Sequence, residues 1–139
     1  MPSNTTPIFP GTLKNYQVQI LPADASNPVT LVSAPTNGCK VESIAATSSD
    51  TSAVVVQLIA TISAVDYVLG EVTIPIAAGT NGSTKAVNML NTTDLPWLRS
   101  DEAGRPYLYV ASGTTLKVKA KTTVTAAKAV QFFAQAGDF

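Results

Sequence analysis

The chain has 139 residues, with nine basic and nine acidic side chains for a formal net charge of zero, one cysteine and no histidine. A chain this long can close one hydrophobic core without a metal or disulfide, and the lone Cys39 excludes an internal disulfide. Charged residues make up 13% of it, roughly half the usual share, which argues against a nucleic-acid-binding surface and describes a molecule that associates readily with partners or with itself.

Residues 1–13 contain three prolines, Gly11 and one apolar pair, Ile8-Phe9. Proline fixes φ and donates no backbone hydrogen bond, so this segment reads as an extended arm in which Ile8, Phe9 and Pro10 are candidate partner-binding residues. From Lys14 the pattern changes to period two: Tyr16, Val18 and Ile20 alternate with Asn15, Gln17 and Gln19, as in a half-buried strand that Pro22 ends. Val29–Val32 is a second short strand before the turn residues Pro35, Asn37 and Gly38. Val41–Thr47 follows, with Val41 and Ile44 three apart, a spacing that admits a bulge or burial on both faces. After the polar turn 48–52 comes the most apolar segment, Ala53–Ile62. It is rich in β-branched residues and apolar on both faces, and is therefore expected as a central strand.

Tyr67–Ile74 is the next predicted strand. Gly70 inside it marks a bulge or a close approach, and Pro75 an edge or strand end. Residues 77–83 form a Gly/Asn loop and Thr84–Leu90 a short strand. Residues 91–106 are irregular, with one helical turn near Thr93-Asp94-Leu95. Tyr107–Val110, Thr115–Lys121 and Ala127–Ala136 complete the set, the first two joined by a tight turn at Ala111-Ser112-Gly113. Short strands at regular turn spacing predict an all-β fold: a single jelly-roll or β-sandwich domain over 14–139, preceded by the extended N-terminal arm. Its expected core includes Val54, Val56, Leu58, Val118, Val130 and Phe132.

Chemical motifs are sparse. Without histidine there is no usual general base and no Ser-His-Asp arrangement, and one cysteine cannot complete a zinc or iron site. No cofactor, metal or catalytic residue is expected, and Cys39 reads as a small, partly buried apolar residue. Asp101-Glu102 lacks the spaced acidic pattern of a calcium loop and reads as a solvent-facing turn. Gly79-Thr80-Asn81-Gly82-Ser83-Thr84-Lys85 has the wrong order for a phosphate loop and reads as a hairpin or crossover loop. Lys117, Lys119 and Lys121 share one strand face, which could meet nucleic acid or an acidic partner but more often protects an exposed strand from edge-to-edge pairing. Trp97, in Leu95-Pro96-Trp97-Leu98, is either a core plug or an interface anchor, so Trp97 and Leu98 join the candidate partner-binding residues. No stretch approaches the ~20 apolar residues of a membrane helix, and Met1–Pro7 has neither the basic start nor the apolar run of a secretory signal.

From about Gly38 onward the chain resembles the cement, or decoration, proteins of tailed-bacteriophage capsids, in particular the jelly-roll type of a short-tailed Bordetella phage. The likeness lies in Val41-Glu42-Ser43-Ile44, in Tyr67-Val68-Leu69-Gly70 leading to Ile74-Pro75, and in the closing run from Thr114 through Thr122-Thr123-Val124-Thr125 to Gly137-Asp138-Phe139. It implies a structural protein, made in the host cytoplasm, that sits on the outer capsid surface and bridges capsomers. Its partners would be the major capsid protein and further copies of itself as a dimer or trimer, with no nucleic acid or membrane. Other sandwich modules share these features. The main alternative is a carbohydrate- or receptor-binding module of a fibre or adhesin, with Tyr16, Tyr67, Tyr107, Tyr109 and Trp97 as candidate stacking aromatics. An enzyme working with carboxylates alone is a third reading.

Overall fold

The structure, a computed structural model, describes residues 9–139. It is an all-β sandwich of two antiparallel sheets. In chain order the strands are β1 (Thr12–Ile20), β2 (Val29–Ser33), β3 (Cys39–Ser48), β4 (Val54–Ile62), β5 (Val65–Ile74), β6 (Val87–Asn88), β7 (Arg99–Ser100), β8 (Pro106–Val110), β9 (Thr114–Ala120) and β10 (Val130–Asp138). A 3-10 turn at Pro22–Asp24 separates β1 from β2. The larger sheet runs β1-β10-β3-β8-β7, with β6 also paired to β3; the smaller runs β2-β9-β4-β5.

Alternation builds the core. Along β9, for example, Leu116, Val118 and Ala120 point inward and are buried while Thr115, Lys117 and Lys119 point away. The expected core residues Val54, Val56, Leu58, Val118, Val130 and Phe132 are all buried, and each such side chain contributes roughly 1.5–3 kcal/mol when fully enclosed. β4 is central in its sheet, between β9 and β5, and Ile59 on its second face is buried as well. Bulges bring consecutive apolar residues inside where strict alternation would expose one. In β3, Ser43 pairs with Gln135 and Val41 with Ala136, which leaves Glu42 as the extra residue and lets Val41 and Ile44 both face the core. In β5 the register shifts beside Gly70, whose missing side chain leaves room for Leu95.

Several boundaries differ from expectation. Thr12 and Leu13, expected in the arm, belong to β1, because Thr12 pairs with Asp138 and Leu13 with Gly137. Residues 1–8, with Ile8, lie outside the described residues. Of the predicted strand 84–90 only Val87 and Asn88 pair with β3. The Asn88 carboxamide oxygen accepts the backbone N–H groups of Ile44 (3.1 Å) and Leu90 (3.0 Å), so a side chain takes the place of a longer ladder. The last strand starts at Val130 rather than Ala127, because Lys128 N–H donates to the Thr125 carbonyl in a turn where Ala127 has φ 64°. The lysine row is not on an edge: β9 is paired on both sides, and Lys121 instead meets Glu71 at 2.9 Å on the outer face of the smaller sheet.

Candidate interaction surface

The two outer sheet faces differ in kind. That of the smaller sheet carries Lys117, Lys119, Lys121, Glu71 and Asp66 among threonines, as a solvated face does. On the larger sheet, register sets Leu13, Gly137, Lys40 and Tyr109 side by side across β1, β10, β3 and β8. Tyr107, two residues before Tyr109 on β8, registers with Arg99 of β7. Alternation along β8 turns Tyr107 and Tyr109 outward while Val110 is buried.

The result is an aromatic end to this sheet. Tyr107 and Tyr109 meet edge to face with ring centroids 5.0 Å apart, and Tyr109 is 6.1 Å from Phe139. The Lys40 ammonium stands 4.7 Å above the Tyr107 ring and 3.8 Å from Glu42, so its charge is partly spent on neighbours. Trp97, Arg99, Tyr107, Leu108 and Tyr109 line a cleft of about 210 Å³. The adjacent loop is tied by Asp101, which accepts the backbone N–H groups of Ala103 and Arg105, both at 2.9 Å, and the Arg105 guanidinium at 3.2 Å. The Arg105 backbone bond is the main reason its carboxyl lies below the ordinary value. The Asp101-Glu102 turn therefore spends its acid on its own loop.

The partner-binding candidates divide between surface and core. Leu98 is buried, and with Leu95, which packs over Gly70 of β5, it belongs to the core cluster. Trp97 is 45% exposed; its indole N–H donates to the Leu69 carbonyl at 2.8 Å, which fixes the ring while leaving it accessible. Leu95 and Leu98 thus do the plugging, and Trp97 lies on the surface. Pro10 rests on Gly137, where a side chain would collide with it, and Gly11 N–H donates to the Asp138 carbonyl at 2.8 Å. Phe9 is 76% exposed just beyond. Pro10 and Trp97 therefore border the same aromatic end from opposite sides, separated by Lys40 and the two tyrosines, a span of roughly two to three strand spacings of ~4.8 Å.

Of the other aromatic candidates, Tyr16 is half-buried and donates its hydroxyl to Asp138 at 2.9 Å, so it is committed to the structure. Tyr67 is exposed near the β4–β5 hairpin beside Val65 and Val68. Sequence reasoning did not single out Lys40, Arg99 or Phe139 as surface residues; strand pairing brings in Lys40 and Arg99, and Phe139, just past β10, is held by its N–H donating to the Gly38 carbonyl at 3.1 Å. Among the described residues no cluster of three or more His, Cys, Asp or Glu side chains is placed to hold a metal ion. Neither the protein-family models nor the curated proteins provide a match to this chain.

Proposed function

We propose that this chain is a structural cement protein that binds the outside of a bacteriophage head and strengthens contacts between capsomers, with no catalytic role. The observation that carries this reading is the aromatic end of the larger sheet. Tyr107, Tyr109, Trp97 and Arg99 stand together on paired strands and around a cleft, and tyrosine, tryptophan and arginine are the residue types that dominate interface energetics. Phe9 and Pro10 lie at the edge of that surface, where an arm can add contacts to a lattice partner. The strand orders β1-β10-β3-β8 and β2-β9-β4-β5 support a jelly-roll form of the sandwich, the form the sequence resemblance implies. The low charge supports self-association as a dimer or trimer on the shell.

Co-sedimentation with shells of major capsid protein that lack the cement layer tests the proposal. Tyr109→Ala changes an exposed side chain, and on this reading it weakens binding by about tenfold or more, as loss of an interface anchor does, while melting temperature stays within a few degrees. Deleting residues 2–8 is expected to weaken shell binding in the same way and to leave melting unchanged. Full binding by a folded Tyr109→Ala, Trp97→Ala double variant would overturn this docking surface. Absence of the chain from purified particles, measured by mass spectrometry, would overturn the capsid role itself.

A further inference from the structure

At the other end of the same sheet face lies a concavity of about 400 Å³, lined by Gln17, Gln19, Ala45, Thr47, Gln131 and Phe133. Register builds it. Gln17, Phe133 and Ala45 form one row across β1, β10 and β3, and Gln19, Gln131 and Thr47 form the next. Ala45 has only a methyl group to fill its place, so the floor sinks between the larger side chains on either side. Phe133 is 42% exposed beside it, presenting part of an aromatic ring. The Gln131 amide donates to the Gln19 carbonyl oxygen at 3.3 Å, which orders the two side chains against each other. None of the lining residues carries a charge.

We propose that this concavity is a binding site for a neutral saccharide of one to two sugar rings. Each carboxamide offers both donors and an acceptor, which matches a ligand whose hydroxyls each donate and accept. The exposed ring offers an apolar plate for the C–H face of a sugar. The volume lies within the range of small-molecule sites. An anionic ligand would find no cation here, and a purely apolar one would strip water from three carboxamides without replacing their hydrogen bonds. A peptide strand docks through main-chain hydrogen bonds at a free sheet edge, which here is the outer side of β1, whereas the floor of the concavity is β10 and β3, each paired on both sides. A twofold contact with a second copy would set the concavity opposite itself and leave a void. The site is separate from Tyr109 and Trp97, so it stands or falls independently of capsid docking.

The test is titration of the isotope-labelled full chain, followed by NMR, with a panel of neutral hexose and N-acetylhexosamine di- and trisaccharides, with sialyllactose as the charged control. The expected result is movement of the side-chain amide signals of Gln17, Gln19 and Gln131 with at least one neutral sugar at concentrations up to about 10 mM, within the range of weak single-site binding. Phe133→Ala and Gln131→Ala should each weaken that binding by about tenfold while the backbone spectrum stays dispersed. No response to any neutral sugar in the panel would overturn the proposal. So would an equal response to sialyllactose, binding that survives Phe133→Ala, or signals that move with protein concentration alone, which would identify a second copy as the occupant.

Discussion

Asp50 is the one charged side chain buried among the described residues, and it ties together two loops distant in sequence. Its carboxylate accepts the Thr125 hydroxyl at 2.6 Å, the Thr125 N–H at 3.0 Å and the Ser52 N–H at 3.0 Å. Burial alone would raise its pKa, but the bonds from Thr125, Ser52 and Thr51 outweigh burial and hold it below the ordinary value. Because the folded value is the lower one, the unfolded chain binds the extra proton. The stabilisation is therefore complete above pH ~4, the unfolded carboxyl's range, and is lost as pH falls through the folded value. Asp50→Ala is expected to cost about 3 kcal/mol at neutral pH, since it leaves enclosed donors unpaired. In urea melts the gap between wild type and Asp50→Asn should stay constant from pH 7 to 5 and narrow at pH 3. Cys39 shows the opposite behaviour: burial, reinforced by the negative charge of Asp138, pushes its thiol up to about 11. The thiolate is the reactive form, so a thiol reagent at pH 8 should label Cys39 only as fast as the domain unfolds, and labelling of the folded protein within minutes would contradict the enclosed position.

The β4–β5 hairpin turns on Ser63 and Ala64, both with positive φ (51° and 62°), the conformation that two-residue hairpin turns demand and that Asn-Gly supplies most readily. A left-handed alanine costs roughly 1 kcal/mol, so Ala64→Gly is expected to raise the melting temperature by a few degrees, whereas an Ala64→Val variant should lower it. The strand signals were legible because period two and turn residues are local properties. Tyr16, Val18 and Ile20, or Leu116 and Val118, show their faces without knowledge of any partner. The bulge between Val41 and Ile44 and the close approach at Gly70 were legible for the same reason, as breaks in a local pattern. The interaction surfaces were not. Ala45 signals nothing until pairing sets it beside Phe133, and Lys40 gains meaning only from Gly137 on one side and Tyr109 on the other. The lysine row misled because the same alternation of Lys117, Lys119 and Lys121 arises on an edge strand and on the solvated face of an internal one.

At the scale of the whole molecule, the sandwich rests on contacts between distant parts of the chain, so a single charge in its centre should unfold both sheets together. Leu58 is fully buried on the central strand β4, and an unpaired buried carboxylate is severely destabilising. Leu58→Asp is expected to yield no folded protein, by circular dichroism and by solubility, and a soluble Leu58→Asp variant with native melting would contradict the core described above. The pairing also sets a schedule for biosynthesis. β10 lies between β1 and β3 in the larger sheet, yet it is translated after both of them. Until Val130–Asp138 has left the ribosome, β1 has no partner in its sheet and β3 presents an open edge along the side where β10 will insert. A chain stalled at Ala129 should therefore remain open to protease along most of its length, and emergence of β10 should close the larger sheet in one step. The nascent protein is exposed to edge-to-edge aggregation for as long as that strand is missing, so slow decoding between β3 and β10 is expected to reduce soluble yield more than slow decoding before β3.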